Sequence, residues 1–541
     1  METDQAATRT VPRMLLDRAE RYADRLAVID GETTLTYRGL LDAALETARA
    51  AIALGIRRGD RVGIWAPNTH RWVVASLGLH CAGATVVPLN TRYRGREARE
   101  ILARVRARAV FVDDGFLGYG YASAVRRRDE DDDAIEAALT DLIVVDMLDG
   151  ASEDDPRLMG WGDFLAGGAA VPAGAATEAA LAVEPGDLSE IIFTSGTTGA
   201  AKGVMIPHGP CLDLYADYGR IWGLRPGDRY LVSLPFFHTG GNKAGLITCL
   251  MHGLTIVPLA VFDPVEVMRI VESCRISVMN GPPTVYYSLL ESPVRHSYDL
   301  GSLRVAATGA AVVPVALVER ARSELPFEHF ITAYGMTECF GTATMCRQGD
   351  SAEVIARSNG RALPGVELRV VDPEGCDLPT GEPGEVLIRG SNVTPGYWED
   401  PESTAEAIDA GGWLRSGDVG TLDADGNLKI TDRIKDLFFV GGFNVSPAEV
   451  EQVLARHPAI SELAVIGVPD ERLGEVPKAY VVPRTGVEAS ADEIIAWARE
   501  RLANFKVPRT VEFVGTLPRN ASGKILKRDL RGGAPRRHQG V

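Results

Sequence analysis

The stretch Thr194-Ser195-Gly196-Thr197-Thr198-Gly199-Ala200-Ala201-Lys202-Gly203-Val204 follows directly on the apolar, strand-like run from Leu188 to Phe193. A strand that opens into hydroxyls and glycines and closes on a lysine has the composition needed to hold a polyphosphate. Gly196, Gly199 and Gly203 can take positive φ and turn backbone amides inward. Thr194, Ser195, Thr197 and Thr198 add neutral donors, and Lys202 adds a charge. The spacing excludes a Walker A loop, which needs Gly-Lys followed by Ser or Thr; here Ala201 precedes Lys202 and Gly203 follows it. A solvent-facing turn fits the composition but leaves the preceding strand and the length of the run unexplained.

Working outward, 541 residues are enough for about three or four domain-sized units. Hydrophobic residues at 45% and charged residues at 24% describe a globular chain able to bury several cores. With 57 basic and 73 acidic residues the net charge is −16, which disfavours nucleic acid and anionic membrane as partners. An anionic substrate must therefore meet a local positive site. The seven cysteines form no CxxC pair and are odd in number, so neither a zinc site nor a disulfide framework is indicated. No basic start leads into an apolar core, and no stretch approaches 18 apolar residues. The expectation is a cytoplasmic protein without a membrane span.

Short apolar runs alternate with helical patterns, so the fold class is α/β. Arg61 to Trp65, Arg71 to Cys81 and Ala84 to Pro88 read as strand, helix and strand. Leu254 to Pro258, Pro264 to Cys274 and Ile276 to Met279 repeat the pattern. The charge run Arg126 to Asp133 and the Ala/Gly/Pro-rich stretch Ala166 to Ala176 read as surface loop, and the tail Arg531 to Val541 as disordered.

Further motifs follow the loop in order: PFFHTGG at 235–241, TGAA at 308–311, AYGMTE at 333–338, RSGDVG at 415–420, TDRIKD at 431–436, GGFNVSPAEVE at 441–451 and PRNASGKILKR at 518–528. Together with the loop, these resemble the ordered motifs of the adenylate-forming enzymes, which include acyl-CoA synthetases, luciferases and the adenylation domains of peptide synthetases. The resemblance implies a large N-terminal domain, residues 1–433, and a small mobile α+β lid, residues 434–541, with its hinge near Lys435. It implies that ATP and a carboxylic acid give an acyl-adenylate and pyrophosphate, and that CoA then displaces AMP.

The resemblance also assigns roles. Tyr334 would stack on adenine, with Gly309 and Ala310 on the other face and Ala333 and Gly335 beside it. Glu338 would bind Mg2+, a hard cation that prefers carboxylate and phosphate oxygen, and Thr337 would reach the α-phosphate. Asp418 and Arg433 offer an acceptor and a donor to the ribose diol. Lys524 would offset the repulsion between the attacking carboxylate and the α-phosphate. Rotation about Lys435 would exchange Lys524 for Gly441 and Gly442, whose bare backbone leaves room for the pantetheine arm. His238 would lie beside the substrate carboxylate.

Two departures from the family pattern stand out: Ala201 replaces a proline before the lysine, and Ser416 replaces a threonine before Gly417. Neither removes a charge or a glycine. The segments at 66–77, 86–93, 281–290 and 341–347 are similar to bacterial ligases for polycyclic, steroid-derived propionates. A bulky terpenoid or steroid-derived acid is therefore expected, against Asn242, Lys243, Gly281, Tyr286, Cys339 and Phe340. Fatty acid metabolism is a further setting for this chemistry. The same motifs serve enzymes that only adenylate and pass the acyl group to a carrier protein or a partner enzyme. A non-catalytic acyl-nucleotide binding protein is the reading from another class, which retention of Lys202, Glu338 and Lys524 argues against. A homodimer is the default for a soluble enzyme of this size.

Comparable electrostatic donors contribute roughly 10²- to 10³-fold in rate. Lys524→Ala is accordingly expected to suppress adenylate formation while leaving thioester formation from supplied acyl-adenylate intact. Equal loss in both half-reactions would remove Lys524 from that role.

Overall fold

The computed structural model describes residues 8–127, 133–148, 158–194, 201–309, 313–433, 436–440, 443–470, 472–484, 486–487, 489–520 and 525–531. Of the expected site, Ser195, Gly196, Thr197, Thr198, Gly199, Ala310, Lys435, Gly441, Gly442 and Lys524 lie outside the described residues, as does the side chain of Arg433.

Short Val- and Ile-rich runs form two large, mostly parallel sheets, and such runs are buried on both faces because helices cover the sheet on either side. The seven-stranded sheet runs in the order Leu158–Gly160, Ile143–Asp146, Ala109–Val112, Arg61–Trp65, Thr85–Pro88, Leu188–Thr194 and Lys202–Pro207. All neighbours are parallel except the last pair, in which Thr194 stands opposite Lys202. Lys202, Gly203 and Val204, read from sequence as the end of a loop, are thus the start of an edge strand.

The nine-stranded sheet runs Arg361–Ala362, Thr344–Met345, His329–Tyr334, Val305–Thr308, Val278–Gly281, Arg229–Val232, Thr255–Pro258, Leu26–Asp30 and Thr33–Thr36. Its inner strands are parallel, which brings the carboxyl ends of Val305–Thr308 and His329–Tyr334 side by side. One hydrophobic core joins both sheets, containing Val62 and Val86 from the first, Val278 and Val305 from the second, and Trp72, Leu77 and Tyr215 from the helices. A third, antiparallel sheet contains Val366–Val371, Gly384–Gly390, Leu414–Leu422 and Leu428–Arg433. A fourth is built wholly from strands beyond residue 437, and its own core is closed by Val450 and Leu454 from helix Pro447–Leu454 and by Ile494 and Ala498 from helix Ala491–Arg499.

Both expected strand-helix-strand units are present, the second with its last strand at Val278–Gly281. The Ala/Gly/Pro-rich stretch corrects the sequence reading. It lies mostly at the surface, as expected, but in place of a loop it forms parts of helices Trp161–Gly167 and Ala173–Ala182, joined by a 3-10 turn at Gly168–Ala170. Alanine has the highest helix propensity, and Ala176 and Ala180 are fully buried. Gly168 lies so close to helix Tyr37–Ala53 that a Cβ there would sit 2.8 Å from the Ala50 nitrogen. Small size, read as lack of structure, is what permits this contact. Among the described residues no single helix is long and apolar enough to cross a membrane.

A charged cluster lies inside the core. Glu190, on the strand that leads into the Thr194 loop, is fully buried and accepts hydrogen bonds from Lys243 Nζ and Ser189 Oγ. His80 Nε2 lies 3.4 Å from its other oxygen. Burial opposes the charge on Glu190, but Lys243 and His80 outweigh it and hold the carboxyl far below its usual range. His208 packs edge-on to His80, and its Nδ1 accepts the Val11 amide at 3.3 Å. Burial, reinforced by His80, pushes His208 down to about 3.

The unfolded chain protonates a histidine below about pH 6.5, whereas folded His208 refuses the proton. The stability it contributes is therefore complete above pH 6.5 and lost as pH falls toward 3. His208→Asn, which keeps an acceptor and removes the titration, is expected to flatten the fall in Tm between pH 6.5 and 5. Parallel Tm profiles for variant and wild type would show that His208 carries none of the acid sensitivity.

Candidate active site

Three chain segments meet where the Thr194 loop re-enters the sheet. The first is the strand Lys202–Pro207. The second is the 3-10 turn Thr337–Cys339, which follows strand His329–Tyr334 and carries Glu338. The third, residues 394–398, binds both of the others. Thr394 donates its amide to the Glu338 carbonyl (2.8 Å) and its hydroxyl to the Met205 carbonyl (2.7 Å). The Met205 amide donates to the Gly396 carbonyl (3.1 Å) and the Trp398 amide to the Gly203 carbonyl (2.7 Å). Residues 394–398 thus extend the edge strand and pin the Glu338 turn to it.

Tyr397 stands at the junction. Its hydroxyl donates to Glu338 Oε1 (2.9 Å), and the Lys202 ammonium lies 5.1 Å from the centre of its ring. Glu338 is only 8% exposed. Arg104 holds the end of the loop by donating to the Ala201 carbonyl (2.6 Å). The sequence reading missed both Tyr397 and Arg104, because a lone aromatic and a lone arginine carry no spacing signal; the Pro395-Gly396-Tyr397-Trp398 run is the only local hint.

At the carboxyl ends of the parallel strands, where open α/β sheets take their ligands, Gly309 follows Thr308 and faces Ala333. A Cβ on Gly309 would lie 3.1 Å from the Ala333 oxygen. Tyr334 ends its strand, and its hydroxyl donates to Asp418 Oδ2 (2.7 Å). Burial and the neighbouring Asp418 raise the Tyr334 pKa well above the ordinary phenol value, so it stays a donor. Asp418 is itself positioned by Ser416, whose hydroxyl donates to Val386 O (2.6 Å) and accepts the Asp418 amide (3.1 Å). Serine therefore serves where the family pattern has threonine. Between them Gly417 takes φ +66°, a conformation that favours glycine. Asp418 stands opposite Arg433 across the third sheet. Gly335 permits the turn into Thr337, since a Cβ there would meet the Gly341 oxygen at 2.5 Å.

His238 begins the turn Thr239–Gly241, and its Nδ1 accepts the Gly240 amide at 3.2 Å. Burial lowers its pKa, so the ring is neutral with its proton on Nε2 and presents a donor. This turn touches the Glu338 turn: a Cβ on Gly341 would fall 2.8 Å from Thr239 Cβ. A π-helical turn, Asn242–Ile247, follows, an irregularity frequent at functional sites.

The expected acyl-contact residues fall in different surroundings. Gly281 ends a parallel strand, and Phe340 is buried with its carbonyl accepting from Tyr215 Oη (2.8 Å). Cys339 is buried with its Sγ on the Met336 backbone. Tyr286 lies in the core, where its hydroxyl donates to the Ala307 carbonyl (2.7 Å) and its ring meets the edge of Phe330. Lys243 is paired with Glu190, and Asn242 donates to the Phe236 carbonyl (3.3 Å).

Metal chemistry is compatible with this arrangement. Among the described residues no three metal-ligating side chains cluster. Mg2+ commonly takes only one or two protein carboxylates and fills its octahedron with water and nucleotide phosphate. Glu338, hydrogen-bonded by Tyr397 and nearly buried, has the chemistry of such a carboxylate.

Residues 15–398 match the AMP-binding enzyme family and residues 449–524 its C-terminal domain. The chain belongs to this family and is an adenylate-forming acid–thiol ligase of the AMP-forming acyl-CoA synthetase type, using ATP and CoA. It is 48% identical over 524 residues to a 3-(7a-methyl-1,5-dioxo-octahydro-inden-4-yl)propanoyl:CoA ligase of Rhodococcus jostii, covering 96% of this chain and 98% of that protein. It is likewise 48% identical to the Mycobacterium tuberculosis ligase of the same name, covering 97% and 98%. Among solved structures, the anthranilate CoA ligase AuaEII in complex with anthranoyl-AMP superposes with a TM-score of 0.85 at 29% identity, covering 97% and 96% of the two chains.

A hydrogen bond to a charged group contributes about 1.5 to 3 kcal/mol. Asp418→Asn is accordingly expected to weaken ATP binding roughly 10- to 100-fold in calorimetry. Unchanged affinity would take Asp418 out of the nucleotide site.

Proposed function

We propose that the chain activates a bulky polycyclic carboxylic acid, terpenoid or steroid-derived, to its acyl-adenylate and transfers the acyl group to CoA. The observation that carries the substrate class is the 48% identity, over nearly the full length, to two ligases named for a fused-ring propanoate. The polar machinery is common to acids of many shapes, so it supports the reaction and not the choice of acid.

In this reading Lys202 and the Thr194 loop hold the β- and γ-phosphates. Glu338 holds Mg2+, which when bound would neutralise phosphate charge, and Thr337 reaches the α-phosphate. The adenine lies between Tyr334, Ala333 and Gly335 on one side and Gly309 and Ala310 on the other, and Asp418 and Arg433 take the ribose hydroxyls. The neutral Nε2–H of His238 orients the attacking carboxylate by donation, without the competing charge of an imidazolium. Lys524 reaches the site from residues 434–541, which act as a lid turning about Lys435, and Gly441 and Gly442 then admit the pantetheine arm. The acid lies along Gly281, Cys339 and Phe340, with Asn242, Lys243 and Tyr286 behind them as shape-setting residues.

The experiment is acid-dependent pyrophosphate release, with and without CoA, across linear fatty, aromatic, steroid-derived and diterpenoid acids, with products followed by mass. The expected result is release with one polycyclic class and appearance of its CoA thioester. Adenylate accumulating without thioester would instead assign the second step to a carrier protein or partner enzyme. Release with linear acids alone would overturn the substrate class.

A further inference from the structure

Tyr397 touches both charges that flank the loop's re-entry, and it belongs to neither segment that carries them. Its hydroxyl donates to Glu338 Oε1 at 2.9 Å, while its ring lies beneath the Lys202 ammonium at 5.1 Å. The tyrosine is only 8% exposed. Its backbone is fixed on opposite sides. It bridges to Val204 in antiparallel fashion, its amide donates to Thr404 Oγ1 (2.9 Å), and the next amide donates to Gly203 O (2.7 Å). Gly396 before it takes φ +141°, and a Cβ there would lie 2.6 Å from Thr404 Cγ2, so the approach of helix Pro401–Ala407 is also set.

Lys202 and Glu338 carry flexible side chains of opposite charge. With nothing between them they would be drawn toward direct pairing, which would withdraw both from a triphosphate and its cation. A rigid aromatic between them satisfies the carboxylate with a neutral donor and the ammonium with a π face. The geometry points to Tyr397 as a positioning residue that holds Glu338 in the rotamer required for the nucleotide-bound divalent cation and keeps Lys202 apart from it. This inference rests on the assignment of Lys202 and Glu338 to the phosphate and metal.

Hydrogen-bond partners of metal ligands typically contribute about 10- to 100-fold in metal affinity. The hydroxyl and the ring act on different partners, so two substitutions separate them. Tyr397→Phe keeps the ring and is expected to weaken Mn2+ binding about tenfold in the complex with α,β-methylene-ATP, read by electron paramagnetic resonance. Its metal-free affinity for that nucleotide should stay within about twofold of wild type. Tyr397→Leu, which removes ring and hydroxyl, should weaken both. Adding Tyr397→Phe to Glu338→Gln should cost no further Mn2+ affinity, because the hydroxyl acts through that carboxylate.

Wild-type Mn2+ affinity in Tyr397→Phe would overturn the inference. So would an equal loss of metal-free nucleotide binding, the signature of a general structural defect. These measurements need no carboxylic acid. A protein that passes them yet releases no pyrophosphate with any acid would refute the proposed reaction and leave the positioning role standing.

Discussion

The antiparallel hydrogen bonds between residues 394–398 and the strand Lys202–Pro207 are the constraint on which the site depends. A lysine at the edge of one sheet, Lys202, and a carboxylate on a turn beyond another, Glu338, have no reason to meet through either sheet alone. The crossing segment joins them by backbone bonds at Gly203 and Met205 on one side and at the Glu338 carbonyl on the other. Backbone bonds suit this task because they hold position whatever the side chains do, leaving Tyr397 to refine the carboxylate and ammonium individually.

A second link runs through the core. The Glu190–Lys243 pair ties the strand Leu188–Thr194 to the π-turn that follows His238. Buried ion pairs contribute little net stability against an apolar alternative, yet removing one partner costs about 3 to 5 kcal/mol. Its presence is thus better explained as fixing where the strand and the turn sit relative to each other than as strengthening the fold. Lys243 and His80 depress the pKa of Glu190 against the effect of burial, whereas burial itself, reinforced by His80, keeps the adjoining His208 neutral.

Much of the frame was legible in the sequence. Strands such as Arg61–Trp65 and helix Pro264–Cys274 coincide with the runs read by apolar pattern, since a doubly covered parallel strand leaves an uninterrupted apolar signature. The ordered motifs placed Tyr334, Glu338, Asp418 and Lys202 in one family, and the chain belongs to that family. The helical turns of the Ala/Gly/Pro-rich stretch were not legible because composition measures what a residue lacks, whereas the contact of Gly168 with Ala50 depends on a helix more than 100 residues earlier. The sequence gives no sign that Lys243, expected near the acid from the family resemblance, is paired inside the core by a glutamate on a distant strand.

By itself, the sequence determined the α/β class and the family to which the chain belongs. The ordered motifs that carry Lys202, Tyr334 and Glu338 could be read there because each is a local pattern of size, charge or turn. Only the tertiary structure decided that Tyr397 contacts both Lys202 and Glu338, that Ser416 and Tyr334 converge on Asp418, and that His238 is a neutral donor. Those facts depend on which chain segments are brought into contact and how far each side chain is removed from water. Both are set by packing between residues far apart in the chain, and no local pattern encodes them.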